Sequence, residues 1–384
     1  MTGEDHWARA TAGLPAPLVA VDLDAFDANA DDLVRRAGGL PVRVASKSVR
    51  CRALLDRVLG NSGFAGVMAY AVPEALWLAR EGVRDIFVAY PSVDVPALHE
   101  VATDDLLRAE VTVTIDSVEH VRWLRDVLGA GVVGLGVAVD VDASLRLSRL
   151  HLGVRRSPTR SPAEALAVVR AAAGVGLDVR GVMFYDAQVA GLPDAGPHVR
   201  AVKRRSVRHL EQRRAAVVDA VRQEVDLRFV NAGGTGSLHL FGEDRVVTEL
   251  AAGSGLYGPT LFDGYDDFRP QPAMAFALPV VRRPARGLVT AYGGGYVASG
   301  EPGWSRVPSP VRRGLSLVRA EGTGEVQTPL RGDGADDLQL GERVWMRGAK
   351  AGELLERFTT VHLVSGGRLV DSVPSYRGEG RCFG

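Results

Sequence analysis

Lysine is nearly missing from this chain of 384 residues: of 46 basic side chains only Lys47, Lys203 and Lys350 are lysines, and the rest are arginine. Net charge is missing too, since Lys+Arg and Asp+Glu balance at 46 each, so no basic field points to nucleic acid or an anionic membrane surface. Cysteine is limited to Cys51 and Cys382, which excludes a disulfide framework and a zinc knuckle. No apolar run approaches a membrane span, and the start Met1-Thr2-Gly3-Glu4-Asp5-His6 has neither the basic nor the apolar region of a secretory signal. A cytoplasmic protein working on small molecules is expected.

What is present is a large core-forming fraction, 46% hydrophobic residues against 24% charged, arranged in a regular alternation. Short β-branched runs recur at Val42 to Ala45, Gly66 to Ala69, Asp85 to Ala89, Val111 to Ile115, Val132 to Val139, Arg180 to Phe184, Arg228 to Val230 and Val247 to Ala251. Amphipathic stretches such as Pro73 to Glu81, Ser117 to Leu128, Pro162 to Ala173 and Val199 to Arg222 separate them. Apolar strands joined by helices specify a parallel sheet, and eight such units close most naturally into a (β/α)8 barrel of the TIM type over residues 25–268. An open doubly wound sheet is the alternative. After about residue 270, proline, glycine and short alternating runs (Ala275 to Val281, Leu288 to Tyr292, Leu315 to Val318, Val344 to Met346, Val361 to Val364, Arg368 to Val373) indicate an antiparallel β-domain over 269–384.

Barrel active sites gather at the C-terminal ends of the strands, so the residues ending each run carry information. Lys47 ends the first, Tyr70 the second, Tyr90 the third, Asp116 the fourth, Asp140 and Asp142 the fifth, and Tyr185-Asp186 the sixth. Guanidinium stays protonated, whereas an amine attacks a carbonyl, so a lysine kept at a strand end is a candidate Schiff-base residue; a stray surface charge is the plainer explanation. The last two runs end in Asn231-Ala232-Gly233-Gly234-Thr235-Gly236-Ser237 and Gly253-Ser254-Gly255-Leu256-Tyr257-Gly258. Such loops let backbone amides converge on a phosphate, and this is the recurrent phosphate position in the barrel class. Phosphate cradle and amine together describe a pocket for pyridoxal 5'-phosphate.

The chain resembles the alanine racemase-like, fold-type III pyridoxal-phosphate enzymes, within them the branch of D-threonine aldolases, D-serine dehydratases and amino-acid deaminases. The residues carrying the resemblance are Pro17-Leu18-Val19-Ala20-Val21-Asp22-Leu23-Asp24, Val44-Ala45-Ser46-Lys47-Ser48, Gly181-Val182-Met183-Phe184-Tyr185, the two glycine loops and Gly293-Gly294-Gly295-Tyr296. It implies that the N-terminal strand 17–24 joins the β-domain. It also implies that Lys47 holds the cofactor, with Tyr70, Asn231, Gly234, Thr235, Gly236, Ser237, Gly253, Ser254 and Gly255 around it and Tyr257 against the ring. Where racemases have Arg-Leu-Gly this chain has His151-Leu152-Gly153, which places a titratable imidazole there, either an acid or base or simply a hydrogen-bonding group. Tyr185 would face the substrate, oriented by Gln188; a half-buried tyrosine at a barrel rim is the plainer alternative.

Aldolases and dehydratases of this branch hold a divalent ion through a His followed two residues later by Asp or Cys. The corresponding positions here are Gly348 and Lys350, so no metal ligand is expected; Glu353, His362 and Cys382 are weaker substitutes. Lys203 reads as a solvated charge on a long helix. The resemblance implies a lyase acting at the α-carbon of a small D-configured β-hydroxy amino acid, by aldol cleavage or deamination, in a homodimer. A racemase, a non-catalytic pyridoxal-phosphate carrier and a cofactor-free aldolase forming its imine on a phosphorylated sugar are the alternatives.

Overall fold

A computed structural model describes residues 4–147, 150–194, 196–242 and 244–384. Eight parallel strands close into a barrel in the order Phe229–Ala232, Glu249–Ala252, Val42–Ala45, Phe64–Ala69, Ile86–Val88, Val111–Ile115, Gly136–Asp140 and Asp178–Phe184, the last pairing again with the first. Each corresponds to one of the eight apolar runs, with ends displaced by a few residues. The largest displacement is in the fifth run, where Gly129–Val132 forms a 3-10 turn and the strand begins only at Gly136. The closed barrel excludes the open sheet.

Local chemistry explains the crossover helices. Ser161 and Glu164 form a reciprocal capping box ahead of Pro162–Gly174, and the Ser117 side chain accepts from the His120 N–H to start Val118–Leu128. Close packing inside the barrel also constrains composition. A Cβ on Gly181 would fall 2.4 Å from the Phe229 ring, its register partner on the neighbouring strand, so only glycine lets that ring fill the centre.

The chain forms two compact units. The barrel unit comprises 33–47, 59–253 and 383–384; the other comprises 1–32, 48–58 and 254–382. Residues 25–32, 48–58 and 254–268 thus cluster with the β-sheet unit, although their place in the chain lies within the span 25–268. That unit is built on a sheet ordered Ser316–Leu317, Gln327–Arg331, Leu288–Tyr292, Met274–Ala285, Leu18–Asp22, Thr360–Ser365, Arg368–Pro374, with Arg343–Arg347 pairing Met274–Ala285 and Ser309–Pro310. The N-terminal strand pairs antiparallel with Met274–Ala285 and parallel with Thr360–Ser365, and it ends at Asp22 because Leu23 opens the helix Leu23–Arg36. Trp7, on the short helix Asp5–Ala10, stacks on Trp345 at 5.7 Å in a core shared with Leu18, Ala275 and Val364. Among the described residues no helix is long and apolar enough to cross a membrane.

Candidate functional site

The first barrel strand, Val42–Ala45, runs straight into a 3-10 turn, Ser46–Ser48, anchored by Ser46 Oγ donating to the Met68 carbonyl at 3.1 Å. Lys47 is thereby held at the strand end, where its Nζ donates to Tyr90 Oη and lies 5.1 Å from the centre of the Tyr90 ring. A cavity of about 310 Å³ opens on the far side of Tyr90, lined by Tyr90, Asp116, Asp140, Asp142, Arg156 and Tyr185 among others; Lys47 meets it through Tyr90 and is not itself a lining residue. That volume suits a small ligand. Burial pushes the Tyr185 hydroxyl above its usual pKa, and the nearby Lys47 charge pulls it back in part. Arg156 spans the two tyrosines, its guanidinium 5.9 Å from the Tyr90 ring centre and 5.4 Å from that of Tyr185.

Next to Tyr185 lies the first glycine loop. A Cβ on Gly234 would come 2.8 Å from the Ala190 methyl and 3.8 Å from the Tyr185 ring, so a side chain there is excluded by packing. Ser237 closes the turn, its N–H donating to the Gly234 carbonyl at 2.9 Å while its Oγ accepts from the Gly234 N–H at 3.2 Å. Arg36 fixes the turn from behind by donating to the Thr235 carbonyl at 2.7 Å. The buried Gly236 N–H has no acceptor among the described residues. An amide in that state is a ready partner for an anion.

Other expected residues lie elsewhere. His151 does not line the cavity; its Nε2 donates to the Val154 carbonyl at 3.1 Å. Gln188 is buried and braces the cavity wall, its Nε2 donating to the Ala143 carbonyl at 2.8 Å, while its Oε1 has no partner among the described residues. Asn231 donates to Glu249 Oε1 at 2.8 Å inside the barrel. The Tyr70 and Phe383 rings meet in a T-shaped arrangement, centroids 6.5 Å apart, and the Tyr70 N–H donates to Glu74. Gly253 follows the last barrel strand. Ser254 and Gly255 belong to the other unit, in the 3-10 turn Ser254–Tyr257. There Tyr257, 1% exposed, donates its hydroxyl to the Val49 carbonyl at 2.7 Å and packs against Phe26, which occupies both its polar end and its ring within that unit.

In the sheet unit the Gly348 carbonyl accepts from the Thr260 N–H, Glu353 accepts from the Ser299 N–H at 3.0 Å, and His362 bonds Ser372 at 2.8 Å. Cys382 is exposed. Among the described residues no three His, Cys, Asp or Glu side chains gather as a metal site. Lys203 is not solvated: it is held by Asp194 at 2.7 Å with both side chains largely buried. Sequence reasoning missed Arg156, which sits in coil two residues beyond Val154 and so carries no periodic signal; the run Arg155-Arg156 was its one trace.

Residues 21–260 match the family described as alanine racemase, N-terminal domain. The chain belongs to that family. Among curated relatives, 3-hydroxy-D-aspartate aldolase of Paracoccus denitrificans (strain Pd 1222) is 26% identical over 248 residues, 63% of this chain and 60% of the relative, so the match spans about three fifths of that protein. Solved structures agree over more of the chain. D-threonine aldolase from Filomicrobium marinum superposes with a TM-score of 0.79 at 22% identity, covering 95% of this chain and 96% of that one. D-threo-3-hydroxyaspartate dehydratase from Delftia sp. HT23 gives 0.75 at 18%, covering 95% and 98%. At such identities the structures establish the fold that this family member shares.

Proposed function

We propose that this protein is a pyridoxal-phosphate-dependent lyase acting at the α-carbon of a small, D-configured β-hydroxy amino acid, by aldol cleavage or deamination. The observation that carries the reading is Lys47: an amine at the end of the first barrel strand, touching Tyr90 Oη on the cavity wall, with a glycine turn next to Tyr185, another wall residue, whose Gly236 amide lacks an acceptor among the described residues. This donor set fits a cofactor with an aldehyde at one end and an anion at the other. Pyridoxal phosphate, when bound, supplies the carbonyl that captures the substrate amine and the electron sink for breaking a Cα bond.

The chain's own residues supply the rest. Lys47 would hold the cofactor and exchange a proton at Nζ, with Tyr90 Oη as the adjacent relay. Gly234, Thr235, Gly236 and Ser237 would hold the phosphate. Arg156, over both tyrosine rings, provides the cation for a substrate carboxylate. Tyr185 keeps its proton at neutral pH, because burial raises its pKa, and serves as a donor toward the substrate. Gln188 holds the Ala143 segment of the wall and acts by positioning. Relatives named as aldolases and dehydratases of D-β-hydroxy acids support the class. A homodimer in the cytoplasm belongs to the same reading, and light scattering checks the dimer.

The test is to incubate cofactor-loaded protein with D- and L-β-hydroxy amino acids, with and without Mn²⁺ or Zn²⁺, and measure aldehyde, ammonia and inverted product. Aldehyde or ammonia from D-substrates, lost by about a thousandfold or more in Lys47→Ala, is expected. Inverted product alone would make the protein a racemase, and no turnover with cofactor retained would make it a carrier.

A further inference from the structure

The cavity has one wall that the lyase mechanism does not use. Asp140 is the last residue of the fifth barrel strand, 8% exposed, and lines the cavity. Its carboxylate has no hydrogen-bond donor among the described residues; the hydroxyl of Ser157 takes its main-chain carbonyl instead. Asp116, at the end of the neighbouring fourth strand, lines the same cavity, with His120 Nδ1, at 3.9 Å, its one ion-pair partner among the described residues. The third acid, Asp142, is already matched, by Ser144, Arg146 at 2.7 Å and Arg160 at 2.9 Å. Two carboxylates therefore face the cavity against one lining cation, Arg156.

A carboxylate that opens on a cavity and receives no donor from the protein is left for a ligand to match. On the lyase reading the substrate's α-amine is consumed by the cofactor and its carboxylate goes to Arg156, so the donor must lie on the side chain. We infer that Asp140, backed by Asp116, is a subsite for a cationic side-chain group, so that the substrates are β-hydroxy amino acids ending in an ammonium or guanidinium. This rests on the proposed lyase reading and narrows its substrate class away from 3-hydroxyaspartate, whose second carboxylate the same wall would repel. The described residues do not gather a third ligand for a metal at this point, which favours an organic cation.

The subsite has a pH signature. Burial first, then the Asp116 charge, raises Asp140 to about 7, opposed by Arg156, with Asp142 adding to the rise; Tyr90 and Tyr185 are the other titratable groups lining the cavity. A cation binds the ionised carboxyl, so preference for it should grow as pH climbs from 6 to 8.

The experiment uses holoenzyme and calorimetric titration with D-ornithine, D-norvaline and D-glutamate, followed by turnover of their β-hydroxy forms. D-ornithine should bind about 10- to 100-fold tighter than D-norvaline, the range for a hydrogen bond to a charged group, with D-glutamate weakest. Asp140→Asn and, separately, Asp116→Asn should remove most of that preference; if the first variant fails to fold, the wild-type ranking and the second variant still decide. Equal binding, preference for the anion, or a preference unchanged in both variants overturns the subsite. Asp140→Asn that weakens cofactor retention and leaves the ranking intact would assign the carboxyl to the cofactor and also overturns it. A cation preference in binding with no aldehyde or ammonia from any β-hydroxy substrate would leave the subsite standing and sink the lyase reading instead.

Discussion

Inside the barrel Arg43, on the first strand, is 2% exposed and enclosed by acceptors: Nε and Nη2 donate to Glu249 at 2.8 and 2.7 Å, and Nη1 and Nη2 to Asp85 at 2.7 and 3.0 Å. At the end of the fifth strand Asp140, 8% exposed, has no donor at all among the described residues. Burial acts against the charge of both groups. For Arg43 it is overcome by Glu249 and then Asp85, and the pKa rises; for Asp140 nothing overcomes it, and the carboxyl is pushed up to about 7. A folded chain retains the first arrangement because it is complete. The second persists without a matching protein group, which is how a site prepared for a ligand differs from a strut.

Arg43→Leu should have the largest effect. It leaves Glu249 buried with Asn231 as its one side-chain donor among the described residues, and should cost about 3–5 kcal/mol in denaturant unfolding. A cost below about 1 kcal/mol would show that the network is not a strut. The pH dependence of Asp140 comes next. Its folded pKa lies above the unfolded value near 3.8, so its contribution to stability is fully present below pH 4 and is lost as pH rises through about 7. Wild type should lose about 2–4 kcal/mol over that window relative to Asp140→Asn, measured by parallel melts at pH 4, 5.5 and 7. Parallel curves for the two proteins would mean that Asp140 has a partner in solution.

Much of this was legible before folding. The eight β-branched runs and the lysine at the end of the first placed the barrel and the rim, because strand periodicity and strand-end chemistry are local properties. The short strand Ser309–Pro310 and the strand Gln327–Arg331 were not anticipated, since one is two residues long and the other is interrupted by Pro329. The helix carrying Trp7 exists for its packing on Trp345, a contact more than 300 residues away in the chain. The site divided in the same way. His151 looked like chemistry by its position in a motif, yet a carbonyl three residues on takes its Nε2, and Arg156 entered the cavity from coil. Whether Asp140 or Asp142 would be left without a donor depended on where Arg146 and Arg160 reach, which no spacing encodes.

Asp142 offers the mildest and most discriminating test, because it stands two residues from Asp140 at the same rim with the opposite outcome. Burial raises its pKa too, but the Ser144 N–H and hydroxyl, then Arg160 and Arg146, outweigh it and hold the carboxyl below its usual range. Its stabilisation is therefore present above about pH 4 and lost as pH falls, the reverse of its neighbour. Arg146 is 45% exposed and contributes through screened water, so Asp142→Asn should cost only about 1–2 kcal/mol at pH 7. The cost should shrink progressively as pH falls below about 4 in parallel melts of variant and wild type. If both asparagine variants instead shifted stability with the same sign across pH 3 to 7, the distinction between a matched and an unmatched carboxyl at this rim would fail, and with it the case for a cation at Asp140.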